Sequence, residues 1–308
     1  MLSGAVNAIR SVFMREDSVP ETTTEPNKYI DQTELWRSIF LRCDGDSLKK
    51  LLTVCSHFHA ILSDNRFWLE KCIEDKVSVP PKAWRDYVFN ETDHRFNYRL
   101  IFFKRPYNRN LSFPITEEDT ISSLINKYSK CYYLSIRSAG NGIKLERNDE
   151  LRFHDDRVSV CFATSYEACH RQLTIDLEAA GVEKWILDEV RPVIDVRELI
   201  CCRDDCAATY AGHSGLIVGT NLACYPINVV KTQNHHMHWP QWTGGNVWEP
   251  VHFRFENYPV GVRAVLMHSE GRDNQFWAGH YGAKFANLEV VVSFPEKPCL
   301  RKPDEFSQ

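Results

Sequence analysis

The sequence predicts an α+β chain, a small three-helix module followed by an antiparallel jelly-roll β-sandwich. Three observations predict it. Apolar residues recur at helical spacing from Gln32 to about Asp75. After Arg105 they alternate with polar residues in short runs, and Gly, Pro and Asn punctuate those runs. With 308 residues, 43% of them hydrophobic and 12% aromatic, the chain can build a substantial core and is no disordered scaffold.

The first thirty or so residues are read as a flexible tail, since "EDSVPETTTEPNK" has a disordered composition. The start, "MLSGAVNAIRSVFMR", lacks the apolar run of a secretory signal, and a mitochondrial presequence is the alternative it leaves. In "QTELWRSIFLRC", Leu35 and Ile39 share one stripe and Trp36 and Phe40 the next, as 3.6 residues per turn requires. "DGDSLKKLLTVCSHFHAIL" predicts a second helix, capped by Asp46 or Ser47, with Leu48, Leu51, Leu52, Cys55 and Phe58 on one face. "SDNRFWLEKCIEDK" predicts a third, with Phe67, Trp68 and Cys72 turned inward. So short a helical unit buries little by itself, which makes its apolar faces informative. Pro80 and Pro81 stop the helical pattern, and the stretch to residue 104 fits either a helix or an extended arm.

Beyond Arg105, "HFRFENY" alternates Phe253 and Phe255 against His252, Arg254 and Glu256. "LEVVVSF" puts Leu288, Val290, Val292 and Phe294 on one face. "VRAVLMH" is apolar on both faces, as a strand inside a sandwich should be. "PVIDVREL" and "GLIVGTNLACYPI" add further strands, and no internal repeat is visible.

Composition also excludes function classes. A net charge of −4 without a long Lys/Arg run argues against nucleic acid as a partner. No stretch approaches the ~20 apolar residues of a membrane span, so no membrane insertion is expected. Eleven cysteines without C-x-x-C pairing read as reduced thiols in a cytoplasmic protein, and on that reading two N-glycosylation sequons arise by chance. His235, His236 and His238 lie in a presumptive loop with no Cys or carboxylate to complete a metal set, so neither a metal nor a cofactor is expected. No two carboxylates pair as a glycosidase requires, and no phosphate loop or nucleophile elbow occurs. Recognition without chemistry is the expectation.

Two segments carry a family resemblance. In "DSLKKLLTVCSHFHAILSDNRFWLEKC", Leu48, Leu51, the Val54-Cys55 pair, Phe58, Ile61 and Phe67-Trp68 fall at the spacing of the F-box. The segment resembles that module, without the Leu-Pro before Leu35 and with Phe58 where a tryptophan is usual. Leu35, Ile39, Leu48, Leu51, Val54, Cys55, Phe58 and Trp68 are then the residues expected to meet the Skp adaptor, and through it the cullin–RING ligase core. The second region is similar to the F-box-associated domain of the sugar-recognising F-box-only proteins. The similarity rests on "NRNLSFP", "FATSYEAC", "IDLEAAG…ILDEVRPVIDV" and, most specifically, residues 258–293.

The resemblance implies a tail over 1–28, an F-box over 29–78, a linker over 79–104, the β-sandwich over 105–297 and a tail over 298–308. It further implies a non-catalytic substrate receptor that binds high-mannose N-glycans of misfolded glycoproteins for ubiquitination and ER-associated degradation. Two other readings stay open: the same ligase role with a protein epitope, or a free cytosolic lectin. The sugar is expected against Tyr166, Phe276, Trp277 and Ala278, with Asp273, Asn274 and Gln275 offering donors and acceptors beside Trp277. By composition alone, Phe276, Trp277 and Tyr281 read rather as caps on the sandwich core, the commoner place for buried aromatics. Phe276 replaces the family's tyrosine and removes a hydroxyl, and His280 replaces a tryptophan. Trp239 and Trp242 could line the same rim or close the fold.

Overall fold

A computed structural model describes residues 32–128, 133–151, 155–219 and 228–301. The expected tail over 1–28, most of the one over 298–308, and the end of "GLIVGTNLACYPI" lie outside the described residues. The chain divides into a unit up to Cys43 and a second from Asp44 onward. The described part of the first unit is helix α1, Gln32–Leu41, with Trp36 and Phe40 ring centroids 5.9 Å apart.

The second unit begins with α2 (Gly45–Leu51), α3 (Ser56–Ser63) and α4 (Asn65–Glu74). The single helix expected across this region is therefore two, interrupted at 52–55. Thr53 and Val54 are β-branched, and the Thr53 hydroxyl donates to the Lys50 carbonyl at 3.0 Å, competing with the helical ladder. The N-cap of α2 is Asp44, whose Oδ1 accepts from Ser47 N at 2.8 Å, two or three residues earlier than the sequence suggests. Asp64 caps α4 in the same way, from Arg66 N.

The stretch that sequence left undecided is helical: α5 spans Lys82–Glu91 and α6 spans Tyr98–Lys104. Trp68 on α4 lies 5.3 Å from both Phe102 and Phe103 of α6, and its Nε1 donates to Leu62 O at 2.7 Å. Burying both the ring and the N–H partner gives this side chain roughly 2–3 kcal/mol of apolar transfer without an unpaired donor. Trp84 of α5 donates to Pro295 O at 2.6 Å and packs on Phe294, so this stretch is fastened to the sandwich. A further helix, α7, covers Ile121–Tyr128.

Among the described residues ten strands follow: β1 Ser135–Arg137, β2 Lys144–Arg147, β3 Val160–Ala163, β4 Cys169–Asp176, β5 Val193–Cys201, β6 Ala208–Val218, β7 Val229–Trp239, β8 Glu249–Phe255, β9 Val262–Asp273 and β10 Lys284–Ser293. They form two antiparallel five-stranded sheets, ordered β1-β4-β9-β6-β7 and β2-β3-β10-β5-β8. Leu288, Val290 and Val292 of β10 are buried while Glu289, Val291 and Ser293 are less so, as the alternation requires. Where β3 stops, the "NRNL" segment continues its place beside β10: Asn108 N and Leu111 N donate to Val292 O and Val290 O.

Every connection from an odd strand to the next even one changes sheet. Because all pairings are antiparallel, these five loops gather at one end of the sandwich. Within the core, a polar group is fully buried at the interface of the sheets. Arg171 donates to Glu198 at 2.6 Å, and Glu198 accepts from Ser269 and Tyr210 at 2.6 and 2.8 Å, while the guanidinium lies over Phe162 and Phe285.

Candidate functional site

The β9–β10 loop, residues 274–283, contains the aromatics that the sequence places against a ligand. It leaves β9 at Asp273, whose side chain is completely buried. One carboxylate oxygen accepts from Gln275 N at 2.9 Å and the other from Trp277 N at 2.8 Å. Between those two anchored amides sits Phe276 with φ of 59°, a left-handed conformation that a bulky residue adopts at a cost. The two charge-assisted bonds hold it there, each worth more than a neutral one. In consequence Phe276 is 73% and Trp277 42% exposed, although both are large and apolar. Ala278 beside them is exposed as well. Phe276 and Trp277 therefore do not plug the core.

The neighbouring loops brace this one. Asp273 N donates to Ser165 O in the β3–β4 loop, and Asn274 N donates to Ala207 O in the β5–β6 loop, both at 2.8 Å. Gly279 N donates to Asn141 Oδ1 at 2.8 Å, tying in the β1–β2 loop. Gly282 approaches the end of β9 so closely that a Cβ there would lie 2.8 Å from Arg272 C, so no side chain fits without a shift of backbone. Tyr166, the fourth expected contact, is half-buried in the β3–β4 loop, its ring against Gly140. The fold thus brings all four residues to one end, three on one loop and Tyr166 on the next.

Tyr281, read in the sequence as a core cap, meets Trp277 edge to face at 6.0 Å and carries the Arg203 guanidinium over its ring at 5.0 Å. Arg203, which the sequence does not single out, grips Asp205 at 2.6 and 2.9 Å. Asn141 was likewise invisible, because its partner lies 138 residues away. The tryptophans of the β7–β8 region separate. Trp239 is buried and donates to Glu249, closing the fold, whereas Trp242 is 68% exposed and held by Trp242 N to Asp204 O at 2.8 Å. His280 is half-buried, and burial pushes its imidazole below the ordinary value. His235, His236 and His238, expected in a loop, belong to strand β7.

The residues expected to meet an adaptor fall into two groups. In the first unit Leu35 and Ile39 are exposed. In the second, Val54 and Cys55 are exposed and Leu51 is half-buried, while Leu48, Phe58 and Trp68 are buried. The buried three hold the helices together; the exposed ones are available to a partner. Among the described residues no helix is long and apolar enough to cross a membrane.

The family model described as "FBA: F-box associated region" matches residues 102–292, more than half of the chain. The chain belongs to the F-box-only proteins with an F-box-associated region. Human F-box only protein 6 is 30% identical over 246 residues, covering 78% of this chain and 75% of that protein. Rat F-box only protein 6 is 34% identical over 254 residues, 80% of this chain and 79% of its own. Human F-box only protein 44 is 26% identical over 246 residues, 79% and 87% respectively. Among solved structures, a family 16 carbohydrate-binding module aligns over 59% of this chain and 99% of its own, at 9% identity and a TM-score of 0.31. The F-box-associated match spans all ten strands but for the last residue of β10, and so includes the whole loop end.

Proposed function

We propose that this F-box-only protein is a substrate-recognition subunit of a Skp–cullin–F-box ubiquitin ligase, and that its sandwich end binds the N-linked, high-mannose glycans of misfolded glycoproteins. Family membership supports the ligase role. The exposed Leu35, Ile39, Val54 and Cys55 are the residues that would meet the adaptor. The chain itself would carry no chemistry: it would present a client while other subunits transfer ubiquitin.

The observation that carries the glycan reading is the exposure of Trp277 and Phe276 above a backbone that buried Asp273 keeps fixed. A pyranose offers C–H faces that favour an aromatic plane, and hydroxyls that need polar partners set in advance. An indole held out on a pre-ordered loop binds such a ring without first having to be ordered. Tyr166 and Ala278 would border the same sugar, with stacking outweighing hydrogen bonding because Phe276 has no hydroxyl.

The test is capture of a high-mannose glycoprotein by the purified chain, before and after enzymatic removal of the glycan, alongside co-purification with the Skp adaptor. Capture lost with the glycan supports the proposal. Capture that survives deglycosylation assigns the site to a protein epitope instead. Glycan binding without adaptor makes the chain a free lectin.

A further inference from the structure

The outer face of the sheet β1-β4-β9-β6-β7, beside the ends of β4 and β9 that meet the candidate loops, carries a cluster that sequence proximity does not reveal. On β9, His268 and Glu270 are two residues apart and share this face. The register places His170 of β4 directly opposite Glu270. One donor atom each from His170, His268 and Glu270 lie within 4.8 Å of one another, and the two imidazole centroids are 5.0 Å apart. His170 Nδ1 is shut off from solvent and has no hydrogen-bond partner, with Glu270 Oε2 3.9 Å away. A buried ring nitrogen without a partner is uncommon, and one explanation is an ion that the side chains are arranged to take.

We propose that His170, His268 and Glu270 together form a binding site for a divalent metal ion of the zinc class. Two imidazoles and a carboxylate are a donor set that zinc accepts, with water as the fourth ligand. A tetrahedral zinc centre needs donor separations of about 3.4 Å, within reach of small side-chain rotations from the present spacing. All three residues are half-buried, so the ion could enter from solvent while the pleated sheet fixes the Cα positions beneath.

His213 stands opposite His268 on β6, but neither of its ring nitrogens joins the donor atoms that lie within 4.8 Å of one another, and its Nδ1 is engaged with Asn234 Oδ1 at 2.6 Å. Arg171 points inward to Glu198. Arg137 on β1, opposite His170, and Arg272 on β9 are the exposed cations of this face, able to turn into water. Bound metal would join β4 to β9 close to the strand ends that lead into the loops.

The experiment titrates the full chain, stripped with EDTA, with zinc chloride by calorimetry, and with cobalt(II) as an optical probe of coordination. The expected result is one zinc per chain and the visible band intensity of a four-coordinate cobalt site. His268→Gln and Glu270→Gln should each weaken binding by roughly tenfold or more. The control variant, His236→Gln with His238→Gln on exposed β7, should bind as the parent does. Thermal unfolding in EDTA checks that each variant folds, and if His268→Gln does not, Glu270→Gln at the surface decides. Absence of stoichiometric zinc overturns the proposal, as does binding that persists in Glu270→Gln or is lost in the β7 control.

Discussion

Asp273 grips the amide of Trp277 at 2.8 Å from inside the protein, while the indole of the same residue stands in solvent. A buried anion therefore positions an exposed aromatic four residues on. Replacing the carboxylate by Asp273→Ala leaves the Gln275 and Trp277 amides without their acceptor. The expected loss is about 1–3 kcal/mol in urea denaturation. Phe276→Gly behaves oppositely: glycine adopts the φ of 59° freely, so this variant should be at least as stable as the parent. If both variants destabilise equally, the carboxylate is not what holds the loop.

The buried Arg171–Glu198 pair predicts a non-additive response. Arg171→Met leaves Glu198 buried with only Ser269 and Tyr210 to satisfy it, and should cost about 3–5 kcal/mol. Adding Glu198→Leu should recover much of that loss, because the remaining groups are apolar or neutral. A double-mutant cycle read by denaturant midpoint measures the coupling; additive losses would show that the pair acts as two separate packing defects.

Asp188 predicts a pH dependence. Burial by itself would raise this carboxyl, but the Arg263 guanidinium, bonded at 2.7 and 2.8 Å, and the Gly261 N–H outweigh it and hold the pKa below the ordinary carboxylate value. Since the folded value lies below the unfolded one, the stabilisation is complete above the unfolded pKa of about 4 and is lost as pH falls through the folded value. Asp188→Asn should be less stable at neutral pH and should show a shallower decline in acid. Parallel parent and variant curves of stability against pH would exclude this pair as a contributor.

Much of the fold was legible because strand alternation is local. The periods around Phe253, Phe255, Val290 and Val292 needed no partner to be read. The helix break at Thr53 was not, since a side-chain bond to Lys50 O decided it against an unbroken apolar stripe. Of the loop end, Phe276 and Trp277 stood out as aromatics among polar residues. Asp273 read as a polar partner offered to a ligand beside Trp277, and only its burial and its bonds to Gln275 N and Trp277 N show that it is the anchor instead. Asn141, Arg203 and the His170, His268 and Glu270 cluster depend on register between distant strands, which no local pattern carries.

The adaptor reading separates exposed from buried positions. Val54→Asp should abolish co-purification with the Skp adaptor and leave thermal unfolding unchanged, because Val54 lies in solvent. Leu48→Asp should instead unfold the helical segment, since burying an unpaired charge is costly. Adaptor binding by Val54→Asp equal to the parent's would remove this residue from the interface.

The most direct test of the central claim is calorimetric titration of a high-mannose glycopeptide into the parent chain and into Trp277→Ala, with thermal unfolding alongside. The account predicts a parent that binds and a variant that keeps its melting temperature but loses roughly 2 kcal/mol of binding, about thirtyfold in affinity. Equal affinity in the two proteins would contradict it.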